Sequence, residues 1–268
     1  MAGFTDGRSR TDDSVLVVEK TRLILDCFSP HRPVLAAAEI RRATGLPSTT
    51  CTRLLRALVH EDILARDRDR FRIGARVFGW AASAMGGPEL TSEAGPVVRD
   101  LRDASGETSC LFVRRGPARI CVAVAESTRA VIHRLKVGQV RPLHAGASGK
   151  VFMAYDGEAF REAIRSGLAR FTPNAATDRS VLEDQLKAIR ELGYAAAHEE
   201  REAGLSSLAA PVFGPDGTLV AVIVVGAPAF RLLADDVPRI APLVMRSAAT
   251  LSARLGYDAR GTPDERDT

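Results

Sequence analysis

The order of the secondary structure predicted for the first quarter of the chain restricts its fold more than any other feature. Apolar residues recur at helical spacing over residues 15–28, 35–44 and 46–61, and two short strands follow at 63–65 and 70–73. Turns that contain proline or glycine separate the three helices. Helix, helix, turn, helix and then a charged hairpin is the order of a winged helix-turn-helix, and we expect that fold here.

The positive charge of the chain lies in the same segment. The formal net charge is +4, with 37 lysines and arginines against 33 aspartates and glutamates. Residues 15–76 carry 12 of these basic residues and 7 of the acidic ones, whereas residues 77–268 carry 23 of each. A basic module joined to a neutral one suggests that the first module binds a polyanion such as double-stranded DNA.

The third predicted helix and the hairpin carry the side chains expected to contact DNA. A helix N-terminus donates N–H groups to a phosphate, and hydroxyls and arginines add phosphate and base contacts. For one helix alone, a capped and solvated helix beside a salt-bridged turn would explain the same residues. The complete ordered set favours DNA binding. The candidates are Ser48, Thr49, Thr50, Thr52, Arg53 and Arg56 on the helix, and Arg66, Arg68, Arg70 and Arg72 on the hairpin.

The rest of the chain predicts an amphipathic connecting helix over residues 74–85 and then an α+β domain. Trp80 on that helix is expected at a junction, at a subunit contact or in the core. Further helices are predicted at 91–104, 148–155, 157–166, 181–192 and 235–255. Strands are predicted at 108–114, 119–125, 131–137, 208–213 and 218–226. Hairpins with segregated helices imply an α+β sheet.

Several classes of protein and site are not expected. No run approaches the roughly 20 apolar residues of a membrane span, and the first 13 residues lack the apolar core of a signal peptide, so we expect a cytoplasmic protein. The 4 cysteines form no C-x-x-C pair, which argues against disulfides and zinc. We expect no metal and no cofactor.

The Gly146–Lys150 stretch (GASGK) matches neither a phosphate loop nor a nucleophile elbow. We interpret it as a tight turn into a helix N-terminus, whose N–H groups can hold a carboxylate. His133 and His144 are the nearby histidines, but no motif places an acid for Ser–His catalysis. The charged run at residues 198–202 is expected to be a solvated loop or the edge of a lid.

Six stretches in this order and spacing resemble the IclR family of bacterial transcriptional regulators, over about residues 15–256. They are VEKTRLILDCFSP, LAAAEIRRATGLPSTTCTRLLRAL, RPLHAGASGK, IRELGYA, SSLAAPVFGPDGTLVAVIVVGAP and APLVMRSAATLSARLG. The resemblance implies an N-terminal winged helix-turn-helix, a linker helix and a C-terminal GAF-like α/β effector-binding domain. It also implies homodimers or homotetramers on operator DNA, without catalysis. The family includes repressors and activators, and we expect a repressor.

With that resemblance we place the domains by residue number. Residues 1–13 and 257–268 are expected to be disordered tails. Residues 14–75 would form the DNA-binding domain, 76–90 the linker helix and 91–256 the effector-binding domain.

The resemblance also implies an effector pocket under the sheet. Its positions here are Ala130 and His133 on a third strand, Ala147, Ser148 and Gly149 in the turn, and Ala197, Leu205, Ser207, Val224 and Gly226 on later strands.

The pocket departs from the polar version seen in members that bind small oxo-acids. Those members carry an acid at the position of Ala197, a cysteine at Ser207 and serines at Val224 and Gly226. A less polar pocket favours a larger aromatic or branched carboxylate, held by the N–H groups of residues 147–149 and by Ser148, Ser207 or His133. The alternatives are a DNA-binding regulator whose collapsed pocket binds no small-molecule effector, a constitutive architectural DNA-binding protein without a ligand, and an enzyme with a nucleic-acid-binding appendage.

Overall fold

A computed structural model describes residues 9–29, 32–84 and 88–258 of the chain. The chain divides into two compact units, Met1–Ala84 and Met85–Thr268. Residues 1–8 and 259–268, which fall within the two expected disordered tails, lie outside the described residues, as do residues 85–87 of the expected linker. The first helix begins at Ser9, so the first expected tail does not extend to residue 13.

The first unit has the predicted winged helix-turn-helix order. Its elements are α1 (Ser9–Leu25), β1 (Val34–Ala36), α2 (Ala37–Thr44), α3 (Ser48–His60), β2 (Leu64–Asp67), β3 (Arg70–Ile73) and α4 (Ala75–Ala84). Ile24, Ile40, Leu54, Leu58 and Phe71 are among the side chains that form one apolar core beneath α3 and the sheet. Burial of this core holds α3 in place.

The second predicted helix begins later than expected, because residues 34–36 form a third strand. Strand order in this small sheet is β1-β3-β2, and Leu35 pairs with Phe71. The Glu39 carboxylate accepts the Ala36 N–H at 2.8 Å and so marks the start of α2. Leu35 is buried by this strand pairing rather than by a helical face.

The second unit is a six-stranded antiparallel sheet with helices on both faces. Its strands are β4 (Thr108–Arg115), β5 (Ala118–Ala125), β6 (Val140–Pro142), β7 (Ala195–His198), β8 (Leu205–Phe213) and β9 (Leu219–Pro228), in the spatial order β6-β5-β4-β9-β8-β7. Its helices are α5 (Pro88–Ser105), α6 (Ala147–Tyr155), α7 (Gly157–Arg165), α8 (Arg179–Leu192) and α9 (Val237–Arg254). This confirms the predicted α+β class.

Two apolar clusters lie on opposite faces of this sheet. Helices α5 and α9 cover one face, where Leu101, Ile223 and Val244 are fully buried. Helix α6 covers the other face and α8 packs against α6; Phe152 and Leu182 are fully buried there. Among the described residues, no helix has both the length and the apolar character needed to cross a membrane.

The strand predicted at residues 131–137 is wrong. Residues 126–139 form neither helix nor strand, and the third strand of the domain is β6 at 140–142. Residues 139–142 occupy the edge of β5 where the predicted strand would have paired: Ile120 pairs with Val140, and the Cys121 N–H donates to the Gln139 carbonyl at 3.0 Å. Val131 and Val137 are consequently exposed. Ala130 and His133 therefore lie on an irregular segment rather than on a strand.

The first turn of α6 packs closely against the turn that precedes it, and a substitution at Gly149 tests this packing. A Cβ atom at Gly149 would overlap the Leu143 carbonyl oxygen and lie 2.5 Å from Arg119 Nη1. We expect Gly149→Ala to destabilise the second unit by about 3 kcal/mol, because overpacking against backbone cannot relax easily. Gly157→Ala is the matched control, since its Cβ would meet only the flexible end of Arg161 at 3.6 Å. Equal unfolding midpoints of both variants in urea would contradict the packing.

Candidate DNA interface and ligand cavity

The N-terminus of α3 is open to a ligand. Its N-cap residue is Pro47, which makes no side-chain cap hydrogen bond, and the first helical bond runs from the Cys51 N–H to the Pro47 carbonyl at 2.9 Å. The N–H groups of Ser48 and Thr49 therefore have no helical acceptor, and both residues are exposed. Such a turn can bind a phosphate through its backbone.

The exposed face of α3 carries the other predicted helical side chains. Thr52, Arg53 and Arg56 are exposed, whereas Thr50 is half-buried and Cys51 is buried. Arg53 and Arg56 form no ion pair with any described carboxylate. The face is therefore basic, and no carboxylate in the described part of the chain neutralises it.

The hairpin arginines lie on two different faces of the small sheet. Arg66 pairs with Phe71 across the strands, so both side chains lie on the face toward α3. The Arg66 guanidinium lies 5.8 Å from the Phe71 ring centroid, and its Nε donates to the Arg68 carbonyl at 2.6 Å. With Thr52 and Arg56, Arg66 lines one concave surface.

Arg70 and Arg72 alternate with Phe71 on β3 and therefore lie on the opposite face. Arg68 lies in the turn with a φ of +57°. The sequence grouped the four hairpin arginines together, but the sheet separates Arg66 from Arg70 and Arg72.

A narrow cavity lies in the second unit, next to the N-terminus of α6. Its free volume is about 40 Å³, which is enough for a few water molecules. Of the ten positions implied by the resemblance, six line it: His133, Ser148, Ala197, Leu205, Ser207 and Val224.

The other four implied positions do not line the cavity. Ala147 and Gly149 are buried in the first turn of α6, and a side chain at Gly226 would collide with the His133 ring. Ala130 is exposed and lies outside the cavity.

Two of the N–H groups at the start of α6 already have acceptors. The Gly146 N–H donates to Glu200 Oε2 at 3.2 Å, and the Ala147 N–H donates to Ser207 Oγ at 3.4 Å. The expectation that the Ala147 N–H is open to a ligand is therefore wrong for this arrangement. Ser148 and Gly149 keep first-turn N–H groups without an acceptor among the described residues.

Glu200 belongs to a buried ion pair and not to a solvated run, which corrects the expectation for residues 198–202. Its Oε1 lies 2.5 Å from Lys150 Nζ, and both residues are buried. Lys150 also donates to the Ala196 carbonyl at 3.2 Å, and Thr172 Oγ1 donates to the Glu200 carbonyl at 2.9 Å. The Lys150–Glu200 ion pair therefore connects the loop after β7 to the first turns of α6.

Three arginines that the sequence analysis did not assign to the pocket line the cavity: Arg119, Arg141 and Arg201. Arg119 is only 3% exposed; its Nη2 donates to the Ala145 carbonyl at 2.8 Å and its Nη1 donates to the Pro142 carbonyl. Its Nε has no hydrogen-bond partner among the described residues. Arg119 lies two residues before the buried Cys121 on β5, so both side chains lie on the same face of the sheet. This alternation is the sequence feature that could have indicated that Arg119 is buried.

The cavity is electrostatically positive. Burial, followed by the charges of Arg201 and Arg141, lowers the pKa of Arg119 to about 9. Burial and then Arg201 also lower the pKa of Arg141, whose Nε lacks a partner in the described part of the chain. Anionic ligands are therefore the class that this cavity suits best.

The two histidines near the turn do not form a catalytic pair. His144 Nε2 lies 3.0 Å from the Ala169 carbonyl, and its ring stacks on Phe171 at 5.2 Å, so it has a packing role. His133 lines the cavity, but its Nε2 has no hydrogen-bond partner within the described ranges. No group of three potential metal ligands occurs among the described residues.

Comparison with known families matches both units. The model of the IclR helix-turn-helix domain matches residues 17–68, and the model of the bacterial transcriptional regulator IclR C-terminal domain matches residues 82–253. The HTH-type transcriptional repressor AllR of Escherichia coli (strain K12) is 31% identical over 228 residues, which cover 84% of each chain.

Two solved structures share the fold over nearly their whole length. A putative transcriptional regulator from Rhodococcus sp. RHA1 has a TM-score of 0.70 at 26% identity, covering 90% of this chain and 98% of that one. An IclR homolog from Microbacterium hydrocarbonoxydans, complexed with 4-hydroxybenzoate, has a TM-score of 0.70 at 24% identity, covering 89% and 98%.

His133 is half-buried, and the loss of water around its imidazole predicts a pH dependence of stability. Burial is the largest cause that lowers the pKa of His133 from 6.5 to about 4, and Arg201 adds to it. The unfolded chain takes up a proton below about pH 6.5 that the folded chain binds only near pH 4, so this stability is complete above pH 6.5 and lost as the pH falls through that window.

We therefore expect the free energy of unfolding of His133→Gln to fall less steeply than that of the parent protein between pH 6.5 and 4. The difference between the two slopes corresponds to the uptake of up to about one proton on unfolding. Urea unfolding at a series of pH values measures this slope. His60→Gln is the control, because the His60 side chain is 84% exposed. Identical slopes for the parent and His133→Gln would contradict the burial of a neutral imidazole.

Proposed function

Because this chain belongs to the IclR family of bacterial transcriptional regulators, we propose that a small carboxylate bound in its cavity controls the affinity of its winged helix for an operator. The family fixes the coarser statement that the protein is a DNA-binding transcriptional regulator and not an enzyme. The operator contacts, the effector and the sign of regulation are the parts proposed here.

The proposed DNA contacts are supported by the N-terminus of α3, which has no side-chain cap and lies beside arginines without a described carboxylate partner. Ser48 and Thr49 would hold a phosphate through their N–H groups, and Arg53 and Arg56 would reach base edges or phosphates in the major groove. Arg66 lies on the same side as these residues. Arg68 and Arg70 on the hairpin would reach a neighbouring phosphate or the minor groove.

The effector proposal rests on the charges and walls of the cavity. Arg119 and Arg141 supply cations, and Ala197, Leu205 and Val224 supply apolar wall. An aromatic or partly apolar carboxylate fits that combination, and a related IclR homolog has been solved with 4-hydroxybenzoate. Such a ligand needs more space than the cavity now offers, so binding would displace His133 or the loop that carries Arg201 and Glu202.

Repression and self-association are proposed from the relatives and from α4. The AllR relatives are repressors, and we propose the same sign of regulation here. Phe78 and Trp80 on α4 are 72% and 54% exposed in the single chain. Large exposed apolar side chains on a helix favour a subunit contact, so we propose a homodimer that can pair as a tetramer.

Arg53 tests the position of the DNA interface. We expect Arg53→Ala to weaken binding to the preferred DNA by about tenfold or more, since a bidentate base contact contributes roughly 1–3 kcal/mol of discrimination. Arg99→Ala, which removes an exposed arginine of α5 in the second unit, is the control and should bind normally. Fluorescence anisotropy against specific and scrambled duplexes measures both, and unchanged binding by Arg53→Ala would show that α3 is not the recognition helix.

A mobility-shift titration on the DNA upstream of the protein's own gene tests the regulatory proposal. A panel of aromatic and aliphatic acids is added to the preformed complex. We expect a specific shift that one class of acid reduces, because effector binding must favour one conformation over another to change DNA affinity. A specific shift that no acid alters would favour the alternative, a DNA-binding regulator without a small-molecule effector.

A further inference from the structure

We infer that the cavity takes an acid with two anionic groups, such as a dicarboxylate, in preference to the matched monocarboxylate. The inference rests on the proposed function, because it specifies the charge of the effector at the same site. It is carried by two arginines, Arg119 and Arg141, that face the cavity without carboxylate partners.

The charged groups around the cavity leave two cations unpaired. Glu200 is paired with Lys150 at 2.5 Å, and Glu202 is paired with Arg201 at 3.2 Å. Neither Arg119 nor Arg141 has a described carboxylate oxygen within ion-pair distance. Arg119 is buried and Arg141 is half-buried, and the Glu200 and Glu202 carboxylates act on them only at longer range. An anion in the cavity would supply the close partners that the described residues do not.

Arg119 lies at the positive end of a helix. A Cβ atom built on Gly149 would lie 2.5 Å from Arg119 Nη1, and one built on Gly146 would lie 3.4 Å from Nη2, so the guanidinium lies against the first turn of α6. A cation at a helix N-terminus is unfavourable, because the first-turn N–H groups carry partial positive charge. A carboxylate bound to Arg119 and to the free N–H group of Ser148, which lines the cavity, would reverse this.

Arg141 is directly opposite Arg119 in the sheet. The two residues pair across β5 and β6, so their side chains lie on the same face at the distance of cross-strand neighbours. Like charges in such a pair are destabilising unless an anion lies between or beside them. Both Nη atoms of Arg119 donate to backbone carbonyls and only its Nε lacks an acceptor, whereas the Arg141 side chain makes no hydrogen bond with the described residues. Arg141 is therefore the place for a second anionic group.

Calorimetric titration of the full chain at pH 7.5 tests this with acids that differ only in their second carboxylate. The pairs are butyrate with succinate and benzoate with terephthalate. We expect the dianion of at least one pair to bind about tenfold more tightly than its monoanion, as a charge-assisted contact would give.

The variant Arg141→Gln identifies the residue responsible. It should reduce the ratio of dianion to monoanion affinity to about one, because the dianion loses more affinity than the monoanion when its second charge-assisted contact is removed. Arg134→Gln removes an exposed charge next to His133 and should keep the full ratio. Without any acid, Arg141→Gln should unfold at the same or a higher temperature than the parent, because it removes a like-charge contact; this separates lost binding from misfolding.

Three results would overturn the inference: no tighter binding by either dianion, no binding of any of the four acids, or an equal loss for both members of a pair in Arg141→Gln. The mobility shift separates this from failure of the proposed function. If a monocarboxylate alters DNA binding while the dianions do not bind, only the inference fails. If no acid of any kind alters DNA binding, the effector part of the proposed function fails as well.

Discussion

The contact between Gly149 and the Leu143 carbonyl determines the geometry of the ligand cavity. Because residue 149 has no side chain, the first turn of α6 lies directly against the turn after β6 and against the guanidinium of Arg119. The next residue, Lys150, pairs with Glu200 and fastens the loop that forms the opposite wall. Two adjacent residues of α6 thus hold both sides of the cavity, one by close packing and one by a buried ion pair.

The charges of the two units suit two different anions. In the first unit, the arginines of α3 are exposed and unpaired, as binding to a phosphate backbone requires. In the second unit, Arg119 is buried and its pKa is lowered, which costs stability in the absence of a ligand. Groups that destabilise the folded chain but line a cavity are typical of binding sites, since the ligand supplies the missing partner.

The helices and their exposed faces could be predicted from the spacing of apolar residues. Strand pairing and buried ion pairs could not, because they depend on residues far away in the sequence. The exposed face of α3 follows from its buried Cys51, Leu54 and Leu58, because helical spacing alone separates the two faces. Strand 131–137 was predicted wrongly because the edge of β5 pairs instead with residues 140–142, which no local pattern reveals. Burial of Glu200 depends on Lys150, 50 residues earlier in the chain, so the charge run looked solvated.

We propose that the DNA-binding face of α3 and the acid-binding cavity are coupled, and one pair of titrations measures that coupling. Succinate or terephthalate, whichever binds more tightly, is titrated into the full chain alone and into its complex with the DNA fragment that it binds. Linkage requires the DNA to lower the affinity for the acid by the same factor by which the acid lowers the affinity for DNA. A repressor released by its effector gives that result. Equal affinities of the free and DNA-bound protein for the acid would show that the two sites are not coupled.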